Sequence, residues 1–160
     1  QGLVAMKKPS DSSIHFLLGH PGFIPKILEM MEAFYAIDDY PFDGQNAEAT
    51  LRHFSENENL GRLWLIQSGS QIVGYIVLTF GFSFEYSGKD AFIDELFIKA
   101  PFRRKGIGKK AMAFVVAEAK NLGVKAIHLE VEKGNNTAHQ LYLNQGFKGN
   151  SRQLLSKIIR

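Results

Sequence analysis

The chain has 160 residues, 45% of them hydrophobic and 22% charged, which is the size and mix of one folded domain with a buried core rather than of a disordered segment. It contains no cysteine, so a disulfide framework and a thiolate metal site are both excluded. No apolar run approaches the roughly 20 residues that a membrane span needs, and a soluble, cytoplasmic protein is expected.

The net charge of +3 is a local property. Residues 99–110 read KAPFRRKGIGKK and hold six bases and no acid. The remainder carries 13 bases against 16 acids. Residues 29–58 hold eight acids against the single base Arg52. A nucleic-acid binder spreads its basic groups over a broad surface, so this distribution argues against one. Gln1-Gly2 reads as the end of a cleaved tag, with Met6 as the native start, and residues 1–5 are set aside.

Ser12–Leu18 is expected to be the first strand, ended by Gly19-His20-Pro21-Gly22. Ile24–Ala36 follows with Ile24, Ile27, Leu28, Met31, Phe34 and Tyr35 at helical spacing, and stops near Asp38-Asp39-Tyr40-Pro41. Ala47–Phe54 is a second short helix with Asn46 at its N-cap. The period then becomes two. Arg62–Gln67 and Gln71–Phe84 flank the hairpin signal Ser68-Gly69-Ser70, and Ala91–Ile98 is a further strand after a turn at 86–90. Ile107–Leu122 is the longest helix, closed by Gly123. Ala126–Val131 is a strand, Asn136–Asn144 a short helix closed by Gly146, and Leu154–Ile159 a last strand. No repeat or linker appears, so 1–160 reads as a single domain. The order predicts an α/β (α+β) fold with a mixed sheet and helices on its faces.

The strongest local feature is Arg103-Arg104-Lys105-Gly106-Ile107-Gly108, between a strand and a helix start. Its glycines let a ligand approach the backbone, and the unpaired first-turn N–H groups and helix dipole favour an anion. Gly106-Ile107-Gly108-Lys109-Lys110-Ala111 also fits G-x-G-x-x-A, but seven residues including Pro101 separate it from Ile98, whereas a dinucleotide fingerprint closes tightly onto its strand. No Gly-Lys-Ser/Thr is present, so the Walker pattern fails.

Arg103-x-x-Gly106-x-Gly108 opening a long helix resembles the acetyl-CoA-binding motif of the GNAT acetyltransferase superfamily. Downstream, Asn135-Asn136-Thr137-Ala138-His139-Gln140-Leu141-Tyr142 followed by Gly146-Phe147 is similar to the family's N-x-x-A-x-x-L-Y-x-x-x-G-F. Asp94-Glu95-Leu96-Phe97-Ile98 is similar to its fourth strand. The matches lie in order across 91–147. The resemblance implies a central, mostly antiparallel sheet with a β-α-β acetyl-CoA-binding unit and helices on both faces.

It also implies roles. Backbone N–H groups from Arg104 through Lys105, Gly106, Ile107 and Gly108 to Lys109 would hold the pyrophosphate, with Arg103 at the motif's first basic position. Leu96, Phe97 and Ile98 would pair through their backbone with the pantetheine arm, which requires the strand at 126–131 to diverge. Asn135 matches a cofactor-contacting position. Tyr142 matches the usual general acid for the thiolate. The acceptor amine needs a base, since an alkyl amine has a pKa of about 10.4. Alternation sends Asp94 and Glu95 to opposite faces, and both stay as candidates. With no cysteine to carry the acyl group, transfer is direct.

The acidic, aromatic segment 24–60, with Phe34, Tyr35, Tyr40 and Phe42, suits a small cationic acceptor. The strand region 79–86 reads either as part of the acceptor wall or as core. The reading is an acetyl-CoA-dependent N-acetyltransferase acting on a primary amine, with no metal, nucleic-acid or membrane partner. A homodimer, a catalytically inactive CoA-binding module and a protein lysine or N-terminal acetyltransferase stay open beside it.

Overall fold

The computed structural model describes residues 13–160. Ser12 of the expected first strand, and residues 1–5, lie outside the described residues. The chain forms two compact units, one ending at Leu129 and one running from Glu130 to Arg160. The first contains β1 (Ile14–Leu18), α1 (Ile24–Ile37), α2 (Gly44–Ser55), β2 (Gly61–Ser68), β3 (Gln71–Ser83), β4 (Gly88–Ile98), α3 (Ile107–Asn121) and β5 (Ala126–His128). The second contains α4 (Asn136–Asn144).

The five strands of the described residues lie in chain order, β1-β2-β3-β4-β5. Neighbours are antiparallel except β4 and β5, which are parallel and joined through α3. This is the expected mixed sheet with one β-α-β unit. Alternation in β2 and β3 divides the core between two faces. On one face Leu63, Leu65, Tyr75, Val77 and Phe97 pack against Ile24, Ile27, Met30 and Met31 of α1 and Leu51 of α2. On the other, Trp64 meets Phe114 of α3 at 5.4 Å between ring centroids, and Ile107, Ala111, Met112, Val115 and Ala119 are buried.

Helix α1 stops where expected. Asp39 adopts a left-handed conformation (φ 55°), and the Tyr40 N–H reaches back to the Tyr35 carbonyl at 3.0 Å. Helix α2 starts one turn earlier than the spacing predicts. Asp43 rather than Asn46 is the cap, its carboxylate accepting the Asn46 N–H at 3.2 Å.

Two expected strands differ. β5 ends at His128 instead of Val131, because β4 carries a bulge just beyond the last shared pair. Val77 faces Glu95 while Leu78 faces Ile93, leaving Asp94 as the extra residue. A bulge bends its strand and ends pairing. The expected strand at Leu154–Ile159 is absent, and Leu154, Leu155, Ile158 and Ile159 are exposed. Their apolar residues come as adjacent pairs, which no single face of an extended strand can collect.

Candidate active site

The β5 pairing covers only Asp90, Ala91 and Phe92 of β4. From Ile93 to Ile98, no strand among the described residues pairs with β4 on that side. We call this edge of β4 the wedge: it is closed at the Phe92–His128 pair and bare from there toward Ile98. The strand expected over 126–131 thus pairs with β4 only as far as His128. An extended ligand with amide groups could add to this bare edge as a strand would.

The open end of the wedge meets the start of α3. The first backbone bond of that helix runs from the Lys110 N–H to the Gly106 carbonyl at 3.2 Å. The Ile107 and Gly108 N–H groups precede it and, as in any first helical turn, have no acceptor within the helix. No acid lies in this turn. Arg104 (φ 62°) and Gly106 (φ 78°) are both left-handed, so the loop reverses sharply before the helix begins. Arg104 holds this conformation without being glycine. Gly108 differs, because a Cβ built there meets only Ile98 Cδ1, at an ordinary 3.6 Å. Packing inside the protein does not require glycine at this position, and a side chain there would occupy open space.

Arg103 lies elsewhere. Its Nε donates to the Ile98 carbonyl at 2.7 Å, and its guanidinium lies over the Phe97 ring. In this structure it fastens the loop to the end of β4, and the Ile98 carbonyl is engaged with it. Phe97 is core, so only its backbone lies on the wedge. Lys105 lies over the Phe102 ring.

Glu95 is the centre of the other half of the site. Its Oε2 accepts the Tyr35 hydroxyl at 2.8 Å and its Oε1 accepts the Tyr75 hydroxyl at 2.7 Å. Tyr75 is fully buried, and Tyr35 projects from α1. Burial raises the Glu95 carboxyl above its ordinary pKa; the two phenols pull it back, and the neighbouring Asp94 charge raises it further. Burial likewise raises Asp94. Both phenols are raised well above an ordinary tyrosine, first by burial and then by the Glu95 carboxylate, and stay protonated donors. The expectation that Asp94 and Glu95 simply alternate is corrected by the bulge. Asp94 is the unpaired, exposed residue, while Glu95 keeps the face of Val77 and Tyr75. Of the aromatics offered for acceptor recognition, Phe34 packs on Phe97 and Tyr75 in the core, and Phe42 stands edge-on to Tyr35. Tyr75 carries no functional signal in the sequence. It lies in an apolar strand run that reads as core, and only the register reveals its partner.

In the second unit, Asn135 caps α4, its side chain accepting the Ala138 N–H at 3.2 Å. Gly146 (φ 91°) ends the helix, and Phe147 returns to place its ring 6.1 Å from that of Tyr142. The spacing of that motif is thus one capped and closed helical turn pair. Burial raises the Tyr142 phenol above its ordinary pKa.

The family model of the acetyltransferase (GNAT) family matches residues 27–147. The chain belongs to the GNAT acetyltransferase family. An integron cassette protein from the mobile metagenome of Cole Harbour Salt Marsh is 32% identical, with a TM-score of 0.82, covering 91% of this chain and 90% of that one. A predicted acetyltransferase of Clostridium acetobutylicum, solved with acetyl-CoA, superposes with a TM-score of 0.75 over 90% of this chain and 96% of its own, at 15% identity, a likeness of fold alone. The uncharacterized N-acetyltransferase YycN of Bacillus subtilis is 34% identical over 64 residues, 40% of this chain and 41% of that protein. The chain thus matches about two fifths of that curated relative's length.

GNAT proteins use acetyl-CoA, and the residues here fit it. The bare β4 edge, the unpaired first turn of α3 and the room above Gly108 form one track. Arg104, Lys105, Lys109 and Lys110 add positive charge where phosphates would lie. Among the described residues, no helix is long and apolar enough to cross a membrane.

Proposed function

We propose that this chain is an acetyl-CoA-dependent N-acetyltransferase that moves an acetyl group directly onto a primary amine of a small, cationic acceptor. One observation supports it above the others. The bare edge of β4 runs from the anion-ready start of α3 to a bulge that holds the Glu95 carboxylate between two phenols.

Acetyl-CoA supplies an acetyl group already activated as a thioester. Residues 104–109 bind its phosphates, and the backbone of 96–98 orients its arm. The ammonium form of the acceptor is drawn by Asp94 and Glu95. Glu95, with its carboxyl shifted toward neutrality by burial, accepts a proton from the acceptor nitrogen, directly or through water. The motif around Tyr142 supports that phenol as the proton donor to the departing sulfur. The acidic stretch 29–58 supports a cationic acceptor over a neutral one. The absence of cysteine supports the cytoplasm as its place of work.

The test is a panel of amines offered with acetyl-CoA, read as release of free CoA. The panel includes polyamines, an aminoglycoside, lysine peptides and N-terminal peptides. Turnover of small polyamines or aminoglycosides is expected. Turnover confined to peptides would replace the acceptor assignment with a protein substrate. Acetyl-CoA binding without any amine-dependent release would leave a CoA-binding module.

A further inference from the structure

A second polar pair lies at the closed end of the wedge and has no part in the mechanism above. His128, the last residue of β5, places Nε2 3.1 Å from Asp90 Oδ2 on β4. The ring is flanked by Phe92 at 5.1 Å and Tyr86 at 5.5 Å between centroids. The His128 side chain is 29% exposed and that of Asp90 14%.

Register places this pair on the same face of the sheet as Glu95. Asp90 faces Gly81, and Glu95 faces Val77. Gly81 and Val77 are four residues apart on β3, which alternates without interruption here because the extra residue is on β4. Phe92 and Glu95 are therefore separated by roughly 10 Å along the strand at most. Gly81 is part of the arrangement. A Cβ at that position would lie 2.7 Å from Asp90 Oδ1, so a larger residue there would push the carboxylate from its place beside the ring.

The chemistry of acetylation leaves a role for such a pair. Converting an ammonium R–NH3+ to an acetamide forms one C–N bond and breaks the thioester C–S bond. Two protons leave the nitrogen. One ends on the departing sulfur and the other passes to solvent. Both Glu95 carboxylate oxygens are engaged by phenol hydroxyls, a poor position from which to release a proton to water. The His128 side chain is partly open to solvent, and its Nδ1 has no hydrogen-bond partner among the described residues. With Asp90 accepting the Nε2–H, the neutral ring keeps its lone pair on Nδ1, the tautomer of a proton acceptor.

We propose that His128, oriented by Asp90, is a second catalytic proton acceptor, which takes from the acceptor ammonium the proton that goes to solvent. This rests on the reading that acetyl-CoA lies along β4 from Ile98 toward Ile93, which puts its reactive end at the closed end of the wedge. Asp90 and Gly81 are positioning residues. The Tyr86 and Phe92 rings form the wall along which an alkylammonium approaches.

Two measurements test this on the full chain. Nitrogen-15 NMR of the imidazoles, with His128 assigned by its loss in His128→Gln, is expected to show a protonated Nε2 and a bare Nδ1. The Nδ1 resonance is expected to move when 1,4-diaminobutane is added in the presence of CoA. A protonated Nδ1 with a bare Nε2, or an Nδ1 signal unmoved by the amine, would overturn the proposal. In turnover, His128→Gln is expected to lower kcat on the order of 100-fold with 1,4-diaminobutane, within the range for loss of a general base. The loss is expected to shrink markedly with 2,2,2-trifluoroethylamine, a much weaker base that is largely neutral near neutral pH. Asp90→Asn and Gly81→Ala are expected to follow with smaller losses of the same pattern. An equal loss with both amines would assign His128 a structural role and refute this one. Acetyl-CoA affinity by calorimetry is expected to be unchanged in all three variants. Failure of the wild-type protein to bind acetyl-CoA would instead refute the underlying placement of the donor.

Discussion

The two halves of the wedge are made of different materials. Toward Ile98 the site is backbone: an unpaired strand edge, first-turn N–H groups and a glycine whose missing side chain no neighbour demands. Toward Phe92 it is side chains: Glu95 between Tyr35 and Tyr75, and Asp90 against His128. A backbone site recognises what any ligand of the right shape and charge presents, and so suits a donor shared by many enzymes. A side-chain site varies by substitution alone and suits an acceptor particular to one enzyme. Changes in the first half should therefore act on acetyl-CoA affinity, and changes in the second on turnover.

The sharpest test of that division is Gly108→Val. A side chain there fills the track while meeting nothing closer than Ile98 within the protein. Acetyl-CoA affinity is expected to fall by on the order of 100-fold or more, several kcal/mol of lost contact. The melting temperature should change by only a few degrees, since the cost inside the protein is that of one β-branched residue in a first turn. Calorimetric titration and a thermal melt measure the two separately. Tight binding by the variant would remove the phosphate track from this loop.

The two halves also differ in how much of them the sequence discloses. The α3 loop was legible because backbone sites need particular residue types: glycine where φ is positive, basic neighbours, and no acid in the first turn. The same holds for α4, where Asn135, Gly146 and Phe147 cap, stop and close one short helix. Tyr75 was not legible. A tyrosine in the run QIVGYIV carries no mark of its hydrogen bond, which depends on strand register. The bulge at Asp94 was equally hidden, because two adjacent carboxylates look alike whether or not the strand alternates. It also misplaced the end of β5. His128 and Asp90 are 38 residues apart and meet only through the parallel pairing.

Glu95→Gln tests the side-chain half. The amide is nearly isosteric but accepts no proton, so kcat is expected to fall on the order of 100-fold with acetyl-CoA affinity unchanged. Steady-state kinetics and calorimetry check it together. Asp94→Asn is expected to lose much less in kcat and to act mainly on acceptor KM, since Asp94 is the exposed residue of the bulge. A larger effect at Asp94 than at Glu95 would exchange their roles. Tyr142→Phe is expected to cost about 10-fold or more in kcat, again with little change in acetyl-CoA affinity. That loss should lessen when the donor is an acetyl thioester of an acidified thiol, which departs without protonation. A loss independent of the leaving group would remove Tyr142 from that step.

The smallest expected effect is the most specific. Tyr35 donates to Glu95 from α1, and its hydrogen bond favours the ionised carboxylate. Tyr35→Phe removes that donor and keeps the ring against Phe42. Burial then acts on Glu95 with one less opposing hydrogen bond, so the carboxyl pKa rises further. A base must be unprotonated to act, and a higher pKa delays its ionisation to higher pH. The acid limb of kcat/KM is therefore expected to move to higher pH, with the plateau reduced only a few-fold. Tyr75→Phe should move the limb in the same direction. It should also cost about 1–3 kcal/mol of stability, because it strips a buried partner from an ionised group. The pair of profiles separates the two tyrosines. Both tune the base, but only Tyr75 is also part of the core that α1 and the sheet share. An acid limb unmoved in both variants would mean that Glu95 is not the group whose ionisation limits the reaction at low pH, and the base would then have to be sought at the closed end of the wedge.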